Sequence, residues 1–208
     1  MTPKIQQILH LYRDLMEEVK LRMRVIVRLT DPAAPVLPSQ IVRETCYLQL
    51  RMVCELIALG CLVVHEDIPA TKSPKIVKRW EADFIIKKLE ELHPNFYPMP
   101  VRREQTPTGF HMIGTDPSKA LTKEDLVRLY THCGSVLHKG SIKKLLSAKS
   151  PIETKYEDIR QWREKIGRLL NEHYIFNLSG LTGFICLMAN PDDGNVQVAS
   201  TEAVPPSE

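Results

Sequence analysis

The segment Cys46 to Val64 reads CYLQLRMVCELIALGCLVV, an apolar run of about the length a bilayer demands. It must either cross a membrane or lie at the centre of a fold. Gln49, Arg51 and Glu55 decide between these. An Arg near the middle of a span costs roughly 2.5–3.5 kcal/mol on insertion scales. Arg51 and Glu55 stand four residues apart, where they can pair on a helix surface. The expected element is therefore a buried central helix, with no membrane partner. A chain of 208 residues with 43% hydrophobic content can surround such a helix with a core of its own.

The five cysteines, Cys46, Cys54, Cys61, Cys133 and Cys186, include no Cys-x-x-Cys pair, and three lie on this one segment. Reduced, buried thiols in a reducing cytoplasm are the expectation. The N-terminal residues carry acids early and show no small-residue cleavage site, so they do not read as a signal peptide. Lys and Arg total 28 against 25 Asp and Glu, a net charge of +3. Any nucleic-acid footprint has to be local.

Helical spacing predicts a first helix from Lys4 to about Leu29, although Met23, Val25, Val27 and Leu29 also alternate as a strand would. Asp31 to Pro38 breaks it, and Ser39 is placed to cap the central helix, which runs to about His65. Ser73-Pro74 opens a third helix carrying Val77, Trp80, Phe84 and Leu92 to a stop at His93-Pro94. Val101–Glu104 and Phe110–Ile113 read as a hairpin. Thr122, with Asp125 three residues on and Leu121 meeting Leu126, starts a fourth helix, whose stripe is Leu126, Leu129, Tyr130, Cys133, Val136 and Leu137 and whose stop is Gly140. A short helix at Ile142–Ala148 and a longer one from about Lys155 to His173, with Ile159, Trp162, Ile166, Leu169 and Leu170 inward, follow. Phe184–Ala189 and Val196–Ala199 read as a terminal hairpin across Asn190–Asn195. The expected fold is mainly α, a bundle of about five helices with mid-chain and C-terminal β-hairpin elaborations. It forms one domain over residues 1–200, with a mobile tail at 201–208. Its core is expected to gather Cys46, Leu50, Val53, Ile57, Trp80, Phe84, Leu129, Cys133, Trp162 and Ile166.

Two constellations carry chemistry. Glu44, Arg51 and Glu55 return to nearly one face of the central helix and form a buried polar network or the wall of a pocket. Arg128, His132, Ser135 and His138 form a strip beside the apolar stripe of the fourth helix. With Arg128 at zero, the others fall near about +40°, −20° and −80°. Histidine moves protons near neutrality and arginine holds phosphate, so this strip is the candidate catalytic set, against the plain alternative of a solvated helix face. Lys139, Lys143 and Lys144 follow directly and could attract a phosphate backbone. The segment GSVLHKGS has its Lys before the Gly, the reverse of a phosphate loop. His132, Cys133 and His138 lack zinc spacing, so neither a metal nor a cofactor is expected.

The segments RETCYLQLRMVCELIALGCLV (Arg43–Val63) and LVRLYTHCGSVLHKGS (Leu126–Ser141) resemble the HEPN superfamily of helical-bundle proteins from prokaryotic defence, toxin–antitoxin and RNA-processing systems. The likeness covers about a fifth of the chain. In active members an Arg and a His a few residues apart cut RNA at a dimer interface. The resemblance therefore implies RNA or a nucleotide as ligand, a homodimer, and His138 at the family's His position. The family's Arg position falls near Thr131–Cys133, which hold none, so the likeness fits an inactive or divergent ribonuclease. The competing reading is a non-catalytic module that binds or regulates a protein partner. A third is a small-molecule enzyme built on Glu44, Arg51 and Glu55. A shared cleft for the two constellations favours a site, and divergent directions favour the interaction module.

Overall fold

A computed structural model describes residues 2–33, 37–107, 109–138, 156–178 and 182–202. Helix α1, Pro3–Leu29, starts on Thr2, whose hydroxyl accepts from the Ile5 amide at 3.3 Å. Its strand-like last turns stay helical, because Ile8, Tyr12, Met16, Val19 and Ile26 make one buried stripe along its whole length. Helix α2, Ser39–Val64, packs against α1 and buries twelve residues. By length and composition α2 could cross a membrane, and 56% of its most apolar window is buried inside the protein. Gly60 faces α1: a Cβ there would lie 3.0 Å from the Tyr12 ring.

The third predicted helix is broken in two. A short α3, Pro74–Val77, is separated by residues 78–81 from α4, Ala82–Leu92. The break changes which stripe turns inward. Ala82, Ile85, Ile86 and Leu89 are buried, while Val77 and Trp80 are 63% and 60% exposed. Trp80 thus does not belong to the core, and Phe84 is only half-buried, its ring under the Arg79 guanidinium at 4.4 Å. The rival stripe offers four aliphatic side chains at adjacent helical positions, and Glu81 ties the linker by accepting from Arg79 Nη1 at 2.9 Å and the Trp80 amide at 3.2 Å. Helix α5, Lys123–Leu137, begins as expected, with the Thr122 hydroxyl accepting from the Asp125 amide at 3.1 Å and Leu121 and Leu126 both buried. Gly140 and the short helix at 142–148 lie outside the described residues. Helix α6, Glu157–Leu170, ends three residues early.

The chain turns at Asn171 directly into a strand that helical spacing hides. Strands β1 (Met99–Thr106), β2 (Gly109–Gly114), β3 (Glu172–Phe176), β4 (Thr182–Leu187) and β5 (Gln197–Glu202) form one antiparallel sheet of order β2-β1-β3-β4-β5. Both predicted hairpins are present, but β3 joins them, so they are not separate additions to a bundle. His173 and Ile175 point into the core with the period of a strand. Tyr12 Oη, on α1, meets His173 Nε2 at 2.7 Å, and His173 Nδ1 meets the Leu170 carbonyl at 2.9 Å. The result is mainly helical with a five-stranded antiparallel sheet, and α2 is its axis. All five cysteines are buried and free. Burial pushes the Cys46 thiol up to about 11 and the Cys133 thiol to about 12, so neither is a ready nucleophile.

Candidate functional site

The polar stripe on α2 starts one residue before the expected one. Arg43, Tyr47, Arg51 and Glu55 recur every four residues and face α5 and α6. Glu44 instead takes a 2.9 Å hydrogen bond from Gln40 Nε2, at the start of its own helix. Two turns, roughly 10 Å of axis, separate it from Arg51. Arg51 places Nε 3.4 Å from Glu55 Oε1, donates from Nη2 to Tyr130 Oη at 2.6 Å, and lies 4.1 Å over the Tyr130 ring. One end of the guanidinium thus faces the carboxylate and the other is spent on the phenol. Burial, with the Glu55 charge behind it, raises Tyr130 to about 12, against the opposing pull of Arg51.

A second cluster joins α2, α5 and α6. Arg43 donates to both oxygens of Asp158, from Nη1 to Oδ1 at 3.1 Å and from Nη2 to Oδ2. Tyr47 donates to the same Oδ2 at 2.5 Å. His132 brings Nε2 to 3.2 Å from Tyr47 Oη, its ring edge-on to the phenol with centroids 5.1 Å apart. Burial alone would raise Asp158, but the hydrogen bonds from Arg43 and Tyr47 outweigh it and hold the carboxyl below its ordinary range. Tyr47 moves the other way, raised first by burial and then by its bond to Asp158. The phenol therefore stays protonated.

Towards the N-terminus of α5 the same face carries Arg128 and Asp125, and α6 answers with Trp162 and Lys165. Asp125 is held by Arg128 through one oxygen and by Lys165 through the other. Arg128 and Lys165 both stand near the Trp162 ring, at 5.4 and 5.8 Å from its centroid. Trp162 is partly buried against the core. Along α5, Asp125, Arg128 and His132 share a face, as do Asp158, Trp162 and Lys165 along α6. Among the described residues this face carries Arg43, Arg128 and Lys165 together with Asp125 and Asp158. His132 is exposed, and the Arg128 side chain is 66% exposed despite its ion pair. Arg128 also rims an open groove of about 620 Å³ with Phe84 and Val127.

His138 is the exposed C-cap of α5. Ten residues separate it from Arg128, roughly 15 Å of helix, which one phosphate does not span. Lys139, Lys143 and Lys144 lie outside the described residues. The two predicted constellations do not share a cleft: Arg51 and Glu55 meet Tyr130, which is about 200° around α5 from Arg128. His132 is instead united with Tyr47, Asp158 and Arg43, none of them singled out by sequence reasoning. The available signal was the four-residue spacing of Arg43, Tyr47 and Arg51 on an otherwise apolar helix, and an acid at position 158 beside the inward stripe of α6. Among the described residues no group of three His, Cys, Asp or Glu could hold a metal.

No family model, curated protein or solved structure matches this chain. The chemistry of the α2–α5–α6 face is thus the basis for a functional reading.

Proposed function

We propose that this chain is a HEPN-like, cytoplasmic protein that binds RNA or a nucleotide through the Arg128–His132 face, as a divergent member of a defence or stress system. One observation carries the reading. An exposed histidine is anchored at one ring nitrogen by a buried phenol, and one helical turn away an exposed arginine lies against a tryptophan. Such groups suit a phosphate in their chemistry: Arg128 supplies charge and donors, and His132 supplies a proton or takes one. Trp162 offers a π surface of the kind on which bases stack. His138 is left to contact a neighbouring phosphate rather than the same one. A homodimer would set two such faces in one assembly.

The test is RNA binding and cleavage by wild type, Arg128→Ala, His132→Ala and His138→Ala at low salt, with folding checked by circular dichroism. Binding that falls in Arg128→Ala and weakens with salt supports the reading. Cleavage abolished in His132→Ala but kept in His138→Ala would make the former the acid–base group. A folded wild type that binds neither varied RNAs nor mononucleotides defeats the proposal.

A second reading, a protein-interaction module, is favoured by the divergence of the Arg51–Glu55 and Arg128 directions and by the exposure of both Val77 and Trp80 at the α3–α4 break. Capture of a specific protein that is lost in Trp80→Ala, with no RNA bound, supports it.

A further inference from the structure

His132 is exposed, yet one edge of its ring is engaged, and counting protons along the contacts decides how. Asp158 is ionised, because Arg43 places a guanidinium nitrogen on each of its oxygens. Tyr47 has a single hydroxyl proton, and the 2.5 Å contact with Asp158 Oδ2 takes it. Its oxygen therefore meets His132 Nε2, at 3.2 Å, with a lone pair. Only an Nε2 that carries hydrogen satisfies that contact. Tyr47 is fully buried on α2, so the anchor does not move with the surface.

We propose that Arg43, Tyr47 and Asp158 are positioning residues for His132, fixing its ring with the proton on Nε2 and leaving Nδ1 as the atom that exchanges a proton at the α5–α6 face. What Nδ1 exchanges with rests on the phosphate-ligand reading above; the orientation of the ring does not. Each link has a distinct part. Arg43 keeps Asp158 charged, Asp158 orients the phenolic hydrogen away from the imidazole, and Tyr47 presents the acceptor that selects the tautomer. When Nδ1 gains a proton, Nε2–H keeps its bond to Tyr47, and the Asp158 charge lies one hydrogen bond further along to balance the new cation. A plain structural ion pair between Arg43 and Asp158 would need neither the phenol nor the histidine.

The experiment is nitrogen NMR of the His132 ring in the full ¹⁵N-labelled chain, above about pH 8, where an imidazole is neutral. In wild type the expected spectrum has Nε2 protonated, Nδ1 bare, and the Nε2 hydrogen slow to exchange with water. Tyr47→Phe keeps the buried ring and should lose the slow Nε2 hydrogen and average the two nitrogens. Asp158→Ala removes the acceptor for the phenol, frees that proton to turn to Nε2, and should populate the Nδ1–H form. A packing role alone would move neither signal. A wild-type spectrum with Nδ1 protonated overturns the proposal even if both variants misfold, as does an unchanged tautomer in a folded Asp158→Ala. Adding adenosine monophosphate separates the two ideas. Movement of Nδ1 with Nε2 unmoved supports both, whereas no movement on top of the expected tautomer removes the ligand reading and leaves the positioning intact.

Discussion

His173 makes the stability of this fold depend on pH between its ordinary range and its buried one. The ring is completely buried, and burial lowers it from its ordinary 6.5 to about 4, against a smaller upward pull from the Leu170 carbonyl. Both nitrogens are used: Nδ1–H donates to Leu170 O and Nε2 accepts from Tyr12 Oη. A proton on Nε2 would put a charge in the core and force the Tyr12 hydroxyl to turn from donor to acceptor. Between pH 6.5 and 4 the unfolded chain binds this proton and the folded chain does not, so stability falls as pH falls. Each pH unit in that range is worth about 1.4 kcal/mol, giving about 3 kcal/mol across it and a plateau below. Asp158, held below its ordinary carboxyl range, gives up its contribution only at pH below about 4. His65 is also lowered by burial and acts in the same window, but it is common to wild type and variant. Urea unfolding at pH 7 and pH 4.5 should therefore show a loss smaller by roughly 2–3 kcal/mol in His173→Gln than in wild type. Equal losses in the two proteins would refute the buried neutral histidine.

Gly60→Ala should destabilise by about 1–3 kcal/mol, despite the better helix propensity of alanine, because the Tyr12 ring 3.0 Å from the new Cβ is pinned by His173; thermal melts read this directly. Arg51→Ala should cost about 1–3 kcal/mol by leaving the Glu55 carboxylate, 12% exposed, without its cation. Ile85→Ala should cost about 2–5 kcal/mol while Trp80→Ala stays within about 0.5, the reverse of what residue size suggests; chemical denaturation of the pair tests the α3–α4 break.

The long elements were legible because each has an apolar stripe that repeats over several turns and a recognisable start, as at Thr122. Strand β3 was not. Its five residues follow α6 with only Asn171 between, and its inward His173 is polar, so the helical stripe appeared to run on. The α3–α4 break was hidden for a related reason: two apolar stripes of opposite direction overlap between Val77 and Leu92, and only tertiary packing chooses between them. At the candidate site, His132 and Arg128 could be read from one helix. Their partners could not, since Tyr47 lies 85 residues from His132 and 111 from Asp158 in the chain. The polar network on α2 was placed a residue away, on Glu44 rather than Arg43, because a helical wheel admits both and the difference lies in what α6 presents opposite.

The sheet has a seam. Strands β1 and β2 pair over six residues, and β3 pairs with β4 over five, but β1 and β3 share only Met99↔Tyr174 and Pro100↔His173. Beyond them the Glu172 side chain stands in for a strand, its carboxylate taking the Arg103 amide at 2.9 Å and Arg103 Nε at 2.8 Å. Among the described residues, two ladder pairs and one carboxylate are the strand-to-strand ties of the β1–β2 arm to β3. Its amides therefore open and exchange with solvent as a unit of their own, ahead of the β3–β5 amides, which are released only when the core around His173 comes apart.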